Sequence, residues 1–348
     1  MFKNLSKLIF MFMLIFSTII TISSNSWLGA WLGLEMNLMS FIPLMINSKS
    51  SSSSEASLKY FLIQSMASTM ILMLIIMYFM NLNYFMFLNK FIINKETNLI
   101  IISLMIKSGA APLHFWFTSV MEGINWINGL LLMIWQKLAP LMLISYLINN
   151  STKLILLFFI IMSITIGSIN GLNQTSLRKL MAFSSINHLG WMFSTMFLNN
   201  NLWLMYFTLY SFLSFSIILM FFNFQLFFIN QINLLLYKNN IIKFMLMINL
   251  LSLGGLPPFL GFIPKWLVIQ YMIMNNYYFI IFMMMMTTLI TLFFYLRISF
   301  STFMLNQQEK KWNFSMNFKN NKIKLMMFFT FINLTSFFTS ISLFFINF

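Results

Sequence analysis

The sequence predicts an all-α, polytopic membrane protein of about eleven transmembrane helices, arranged as two inverted five-helix repeats with one added C-terminal helix. Three observations predict it: 60% of the 348 residues are hydrophobic, only 7% are charged, and apolar runs recur along the whole chain. No water-soluble core could hide this much apolar surface. A helix needs about 20 apolar residues to cross a hydrocarbon layer of roughly 30 Å. Segmentation on that length gives spans at Leu8–Ile22, Trp27–Ile46, Tyr60–Met80, Leu99–Val120, Ile124–Ile148, Leu154–Leu172, Leu180–Leu198, Leu202–Ile229, Ile241–Met274, Tyr277–Phe300 and Ile323–Phe345.

Taken in order, span 1 follows Lys3 and Lys7 as a signal peptide would, but an A-x-A cleavage pattern is missing and ten spans follow, so it is expected to be retained. Span 2 carries Glu35, the one carboxylate well inside a span. Span 3 comes after the serine run Ser50–Ser54, read as a loop. Spans 4 and 5 contain Lys107 with Pro112 and Lys137 with Pro140. Span 6 is apolar, span 7 holds His188 near its middle, and span 8 is apolar again. Span 9 is long enough to be cut at Pro257–Pro258 into two spans, and it carries Lys265. Span 10 is apolar, and span 11 follows the polar stretch Asn306–Lys322, read as a second loop.

Basic residues decide the cut. With eleven spans, fourteen of them fall on the N-terminal side (Lys3, Lys7, Lys49, Lys59, Arg178, Lys179, Lys238, Lys243, Arg297, Lys310, Lys311, Lys319, Lys322 and Lys324), against Lys90, Lys95 and Lys153 on the other. Cutting span 9 would move Lys310 to Lys324 across the membrane and leave two short pieces, so one long broken helix satisfies the positive-inside rule better. The same sorting removes nucleic acid as the reason for the net charge of +15, because the basic residues follow membrane side rather than forming one patch.

Residue usage is biased to Phe, Ile, Met, Asn, Lys and Leu, with no Asp or Cys and only two Arg. That bias suits an AT-rich genome, and 34 Met suits a mitochondrial code in which ATA also reads as Met. With no Arg-rich transit segment, the chain is expected to be encoded in the organelle. Its N-terminus is then expected in the matrix and its C-terminus in the intermembrane space. The lack of cysteine removes iron–sulfur ligation, thiolate zinc sites and disulfides within the chain. There is no G-x-G-x-x-G or Walker sequence, so no nucleotide site is expected. No metal or cofactor is expected on this chain, and redox chemistry is assigned to other subunits.

The prolines fall beside the buried charges. Pro112 follows Lys107 by five residues, Pro140 follows Lys137 by three, and Pro257, Pro258 and Pro264 precede Lys265. A helix-breaking proline frees backbone carbonyls that, at membrane depth, need protein or water as partners. A lysine at the bilayer centre costs about 2.5–3.5 kcal/mol on insertion scales, and these three lie too far from the span ends to snorkel. A desolvated amine can exist neutral as well as charged, so it can pass a proton. Gly109-Ala110-Ala111-Pro112 and Gly254-Gly255-Leu256-Pro257 share a Gly-small-x-Pro spacing five spans apart. An odd repeat length inverts the second copy, as in transporters with broken helices at the binding site. The repeats are expected at 1–150 and 151–305, with a matrix loop and last helix at 306–348, all within a single transmembrane domain.

Glu35 needs a cation, and Lys107 is the natural candidate, with a structural salt bridge as the alternative. Glu55, Glu96, Glu122 and Glu309 read as loop or helix-end residues. His188 stands in span 7 where Glu35 stands in span 2, which makes it a candidate proton relay or a satisfied core histidine. His114 and His188 also admit a transmembrane haem reading.

Several segments in order now carry a resemblance: Ser26-Trp27-Leu28-Gly29-Ala30-Trp31-Leu32-Gly33-Leu34-Glu35-Met36-Asn37, Glu55-Ala56-Ser57-Leu58-Lys59-Tyr60-Phe61, Lys107-Ser108-Gly109-Ala110-Ala111-Pro112-Leu113-His114-Phe115-Trp116, Trp135-Gln136-Lys137-Leu138-Ala139-Pro140, Ser184-Ser185-Ile186-Asn187-His188-Leu189-Gly190-Trp191 and Gly254 to Trp266. Along its whole length the chain resembles the family of NADH dehydrogenase subunit 2, an antiporter-like membrane component of mitochondrial respiratory complex I. The resemblance implies a core subunit that carries protons along a buried Glu/Lys axis, coupled to electron transfer from NADH to ubiquinone elsewhere. Glu35 and Lys107 would form the input pair, Lys137 would continue the axis, and Lys265 would face the next antiporter-like subunit. NADH, FMN, iron–sulfur clusters and ubiquinone would belong to other subunits. Neighbouring antiporter-like and small membrane subunits would be partners, with phospholipid such as cardiolipin around them. Eleven spans match the animal form of the family, three fewer than in bacterial relatives. A freestanding cation/proton antiporter and a purely structural scaffold remain the rival readings.

Overall fold

A computed structural model describes residues 5–47, 50–84, 89–149, 151–235, 240–303 and 326–335. Among them every regular element is an α-helix, apart from an isolated antiparallel bridge between Ser176 and Phe228. Seven helices are long and apolar enough to cross a membrane, and shorter apolar helices accompany them.

The chain divides into two compact units, Met1–Ser163 and Ile164–Phe348. Unit 1 contains α1 (Leu5–Ser23), α2 (Trp27–Met45), α3 (Ser51–Tyr84), α4 (Asn89–Ser108), α5 (Phe115–Gly123), α6 (Trp126–Met133) and α7 (Trp135–Tyr146). Helix α8 (Lys153–Leu172) carries the chain into unit 2, which holds α9 (Leu177–Leu198), α10 (Asn200–Phe224), α11 (Ile229–Leu235), α12 (Asn240–Gly254), α13 (Phe262–Met274), α14 (Tyr278–Phe303) and α15 (Met326–Thr335). In unit 1, α2 packs between α1 and α3, and α7 lies against α1, α4 and α6. In unit 2, α9 packs on α10 and α13, while α12 packs on α10 and α14.

The side-chain distribution is that of a protein dissolved in hydrocarbon. Large apolar groups point outward, among them Phe16 at 60% exposure, Met66 at 66% and Leu154 at 76%, a display that water would not tolerate over so many helices. Hydroxyls inside the helices bond back one turn. Ser17 Oγ donates to the Leu14 carbonyl at 2.8 Å, Thr21 Oγ1 to Thr18 at 2.7 Å and Ser194 Oγ to Trp191 at 2.7 Å. Each hydroxyl is thereby satisfied without water.

The helix order follows the eleven spans, with local differences. Ser51–Ser54, read as loop, instead start α3, where the Ser53 hydroxyl accepts from the Asn47 N–H at 3.1 Å and donates to the Ser50 carbonyl at 2.8 Å, fastening the entry segment to the first turn. Span 8 ends at Phe224 rather than Ile229: Gln225 takes a left-handed conformation at φ 52°, and its N–H and that of Leu226 close onto Phe222 and Phe221. Span 5 is broken as well as spans 4 and 9, at Ile134, where ψ is −65° and no glycine or proline marks the place. Glu96 sits within α4 and is buried, not in a loop or at a helix end. The charged stretch around Lys310 to Lys324, Glu309 and the end of span 11 lie outside the described residues.

Candidate functional site

Two helix breaks organise the charged residues, and both are built the same way. Helix α4 stops because Gly109 adopts φ 74°; the Ala110 N–H then reaches the Met105 carbonyl at 3.1 Å and the Gly109 N–H reaches Ile106 at 3.2 Å. Helix α12 stops at Gly255, φ 81°, with Leu256 on the Leu251 carbonyl at 3.4 Å and Gly255 on Ser252 at 3.1 Å. These are paired Schellman closures, each needing a residue free to take positive φ. The geometry shifts the sequence match by one place: Gly109 corresponds to Gly255, not Gly254, and Pro112 to Pro258. What repeats is Gly-x-x-Pro.

In unit 1, Lys107 occupies the last turn of α4 and is buried at 6% exposure. The carboxyl end of a helix carries partial negative charge, so this position favours a cation. Glu35 is half-buried on α2, and no direct ion pair joins it to Lys107 among the described residues. A structural salt bridge is therefore not what the geometry contains. Gln64 Nε2 donates to the Lys107 carbonyl at 3.3 Å. Lys137, on the first turn of α7, is 1% exposed, and its Nζ lies 4.8 Å from the centre of the Phe117 ring.

Lys107 and Lys137 line one cavity of about 20 Å³, shared with Asn37, Tyr60, Gln64, Ser108 and Gln136. That is room for one water. Pro140, on the same wall, withholds an N–H from the Gln136 carbonyl, so the backbone beside Lys137 has an acceptor to offer.

In unit 2, Lys265 lies in the first turn of α13 and reaches back over the break, where Nζ donates to the Gly254 carbonyl at 2.7 Å. Its ammonium stands 5.8 Å from the centre of the Trp191 ring, within cation–π range. A Cβ on Gly255 would come to 2.8 Å from both Lys265 Cδ and Nζ, so the second positive-φ glycine also makes room for the lysine. His188, midway along α9, is buried, with Nδ1 2.9 Å from the Tyr206 hydroxyl and its ring 5.0 Å from that of Tyr210. Tyr206 in turn stacks on Trp191 at 6.4 Å between ring centres.

Of the residues singled out in the sequence, Lys107 and Lys137 come together on one cavity in unit 1, while Glu35 lines a separate, largely apolar pocket of α1 and α2; His188 and Lys265 share the aromatic surroundings of Trp191 in unit 2. His114 lies in the α4–α5 break with Nδ1 3.1 Å from the Pro112 carbonyl. Glu55 and Glu122 are exposed near helix ends. The cluster of Asn37, Tyr60, Gln64 and Gln136 escaped the sequence reading, since amides and tyrosines carry no charge to mark them. Among the described residues, no group of three or more His, Cys, Asp or Glu side chains is placed to hold a metal.

Residues 24–291 match the family model of NADH:quinone oxidoreductase/Mrp antiporter transmembrane regions. The NADH-ubiquinone oxidoreductase chain 2 of Anopheles gambiae is 55% identical over 335 residues, covering 95% of this chain and 96% of that one. This chain belongs to the NADH-ubiquinone oxidoreductase chain 2 family. Members from Locusta migratoria and Oryctolagus cuniculus are 47% and 36% identical, over 93% and 89% of this chain and 92% and 90% of theirs. The chain 2 fold is also that of a subunit in respiratory complex I from Thermus thermophilus: TM-score 0.84 at 18% identity, covering 97% of this chain and 79% of that one. A chain of the Mrp complex from Dietzia sp. aligns at TM-score 0.73 and 14% identity, over 83% of this chain and 59% of its own.

Proposed function

We propose that this chain carries protons through the membrane arm of a proton-pumping NADH:ubiquinone oxidoreductase by way of Glu35, Lys107, Lys137 and Lys265, with His188 as a relay or water-ordering group. The chain is a membrane subunit of that enzyme. The observation that carries the residue assignment is the placement of Lys107 and Lys137 on one water-sized cavity; Glu35, with no direct ion pair to Lys107 among the described residues, is read as acting on it through space. A through-space pair can open and close at low cost, and its state biases which protonation form of the lysine is favoured. The break at Gly255 leaves the Gly254 carbonyl as an acceptor for the Lys265 ammonium, the kind of partner that a cation at membrane depth needs.

In this reading the chain itself performs no redox step. NADH, FMN, iron–sulfur clusters and ubiquinone are held by other subunits, and electron transfer there drives the charge changes felt at Glu35. The order from Glu35 towards Lys265 follows the family resemblance, as do the partners: antiporter-like and small membrane subunits on either side, with phospholipid such as cardiolipin between them. Residues 1–150 and 151–305 are read as the inverted repeats, each with one Gly-x-x-Pro break. The chain is placed in the mitochondrial inner membrane with its N-terminus in the matrix and its C-terminus in the intermembrane space, on the strength of the basic-residue count.

The test uses the assembled complex in closed vesicles. Lys107→Ala and Lys265→Met are expected to remove proton translocation and most NADH:ubiquinone turnover per assembled complex. Full activity in both would overturn the assignment and favour a scaffold role. Cation/proton exchange by the purified chain alone would favour a freestanding antiporter instead.

A further inference from the structure

Unit 1 holds a chain of uncharged hydrogen-bonding side chains to which nothing above assigns a task. The Tyr60 hydroxyl on α3 donates to Gln136 Oε1 on α7 at 3.3 Å, and Gln136 Nε2 donates to Asn37 Oδ1 on α2 at 2.9 Å. Asn37 is 3% exposed and Tyr60 2%. All three line the cavity of about 20 Å³ that also holds Lys107 and Lys137. Three helices thus contribute one polar group each to the wall of a cavity that two lysines share.

We propose that Gln136, clamped by Asn37 and Tyr60, is a positioning residue that fixes a single water between Lys107 and Lys137 for proton transfer. The inference rests on the reading of these lysines as proton carriers and adds the group that sets the geometry between them.

The cavity admits one water, which needs two to four polar partners to be held. A lysine ammonium only donates, and a neutral amine offers one lone pair. The amide supplies what they lack, since its carboxamide edge both donates and accepts. In the transfer a Lys107 N–H bond breaks as a water O–H bond forms, and another O–H of the same water breaks as an N–H bond forms on Lys137. The water is regenerated, and one ammonium and one amine have exchanged places. An amide does not titrate, so it orders the water without holding the proton. A carboxylate at this position would hold it.

The clamp also admits two polarities. Rotation of both amides gives Asn37 Nδ2 to Gln136 Oε1 and Gln136 Nε2 to the Tyr60 oxygen, with the same number of hydrogen bonds. A water that has passed a proton must turn before it can pass the next, and a reversible clamp lets it do so. The titratable and charged groups that share the cavity with Gln136 are Tyr60 on α3 and Lys107 on α4, with Lys137 beside it on α7.

The experiment measures proton translocation and NADH:ubiquinone turnover, per assembled complex and as a function of pH, for Gln136→Leu, Gln136→Glu and Tyr60→Phe. Loss of a hydrogen bond to a charged or transferring group predicts about a tenfold fall for Gln136→Leu at every pH. Gln136→Glu is nearly isosteric; it is expected to work at low pH, where the acid donates like the amide, and to fail as the new carboxyl ionises and pins a lysine in its charged form. Tyr60→Phe removes one clamp contact and is expected to cost a few-fold, roughly a single net hydrogen bond, with an unchanged pH profile. Wild-type rates in Gln136→Leu and a wild-type pH profile in Gln136→Glu would overturn the inference. Should Gln136→Leu fail to assemble, Gln136→Glu decides alone, because a merely structural amide predicts no new pH limb. Running Lys107→Ala alongside separates the two readings: loss there with normal Gln136 variants removes only the clamp, while full activity in all of them removes the proton path as well.

Discussion

Lys265 donates its ammonium to the carbonyl of Gly254 at 2.7 Å, from the first turn of one half-helix to the last residue of the other. The break in span 9 thus creates the acceptor that the lysine uses, and the lysine satisfies a carbonyl that the break leaves without a helical donor. Charge and broken backbone are one arrangement, which is why proline, glycine and lysine cluster there in the sequence.

The two glycines at this break are predicted to differ sharply. Gly255→Ala asks an alanine to hold positive φ and to push aside the Lys265 stem, and is expected to cost about 1–3 kcal/mol and to disable translocation. For Gly254→Ala the new Cβ would meet nothing nearer than 3.6 Å, so near-normal assembly and activity are expected. Heat-induced loss of the assembled complex on native gels, together with vesicle pumping assays, distinguishes them.

Lys265→Arg is expected to assemble, because a guanidinium can still donate to Gly254 and lie against Trp191. Arginine does not release its proton in proteins. Proton translocation is therefore expected to disappear while the amount of complex stays normal. Pumping at the wild-type rate would mean that Lys265 contributes charge alone.

Glu35→Gln should leave assembly intact, since no direct ion pair is lost. A coupling contribution of the usual size predicts that proton translocation and coupled turnover fall roughly tenfold. A comparison of turnover with the level of assembled complex on native gels checks this; a parallel fall in both would reveal a structural role.

At His188 the partner is the Tyr206 hydroxyl. His188→Ala leaves that buried hydroxyl without the imidazole, at a cost of about 1–3 kcal/mol in stability. His188→Gln keeps a hydrogen-bonding group and is expected to restore assembly but not pumping. If His188→Gln pumps normally, the histidine is a core residue and not a relay.

Much of this was legible in the sequence because membrane solvation writes strong signals. Apolar length gave the order of spans, and the expense of a mid-span charge picked out the buried Lys107, Lys137 and Lys265. What was missed had weaker signals. The break at Ile134 is made by backbone angles without a glycine or proline, so it left no mark. The start of α3 was hidden because serines that look like a loop also fasten the first turn of a helix through their hydroxyls. The Gly-x-x-Pro register was read one place early because Gly254 and Gly255 are identical as letters and differ only in φ. The amides of Asn37 and Gln136 gave no warning, since only tertiary packing brings α2 and α7 together around the cavity.

The half-helix ends have a consequence for how the chain is composed. Each carboxyl terminus carries about half a negative charge, and Lys107 and Lys265 both sit where such an end can face them. Backbone dipoles thus serve as counter-charges that neither titrate nor diffuse. A chain with twenty basic and five acidic side chains can therefore keep cations at membrane depth with few carboxylates beside them. In the proposed proton path this leaves Glu35 available as a signal instead of as neutralisation: its protonation would alter the field around Lys107 without depriving Lys265 of the carbonyl that holds it.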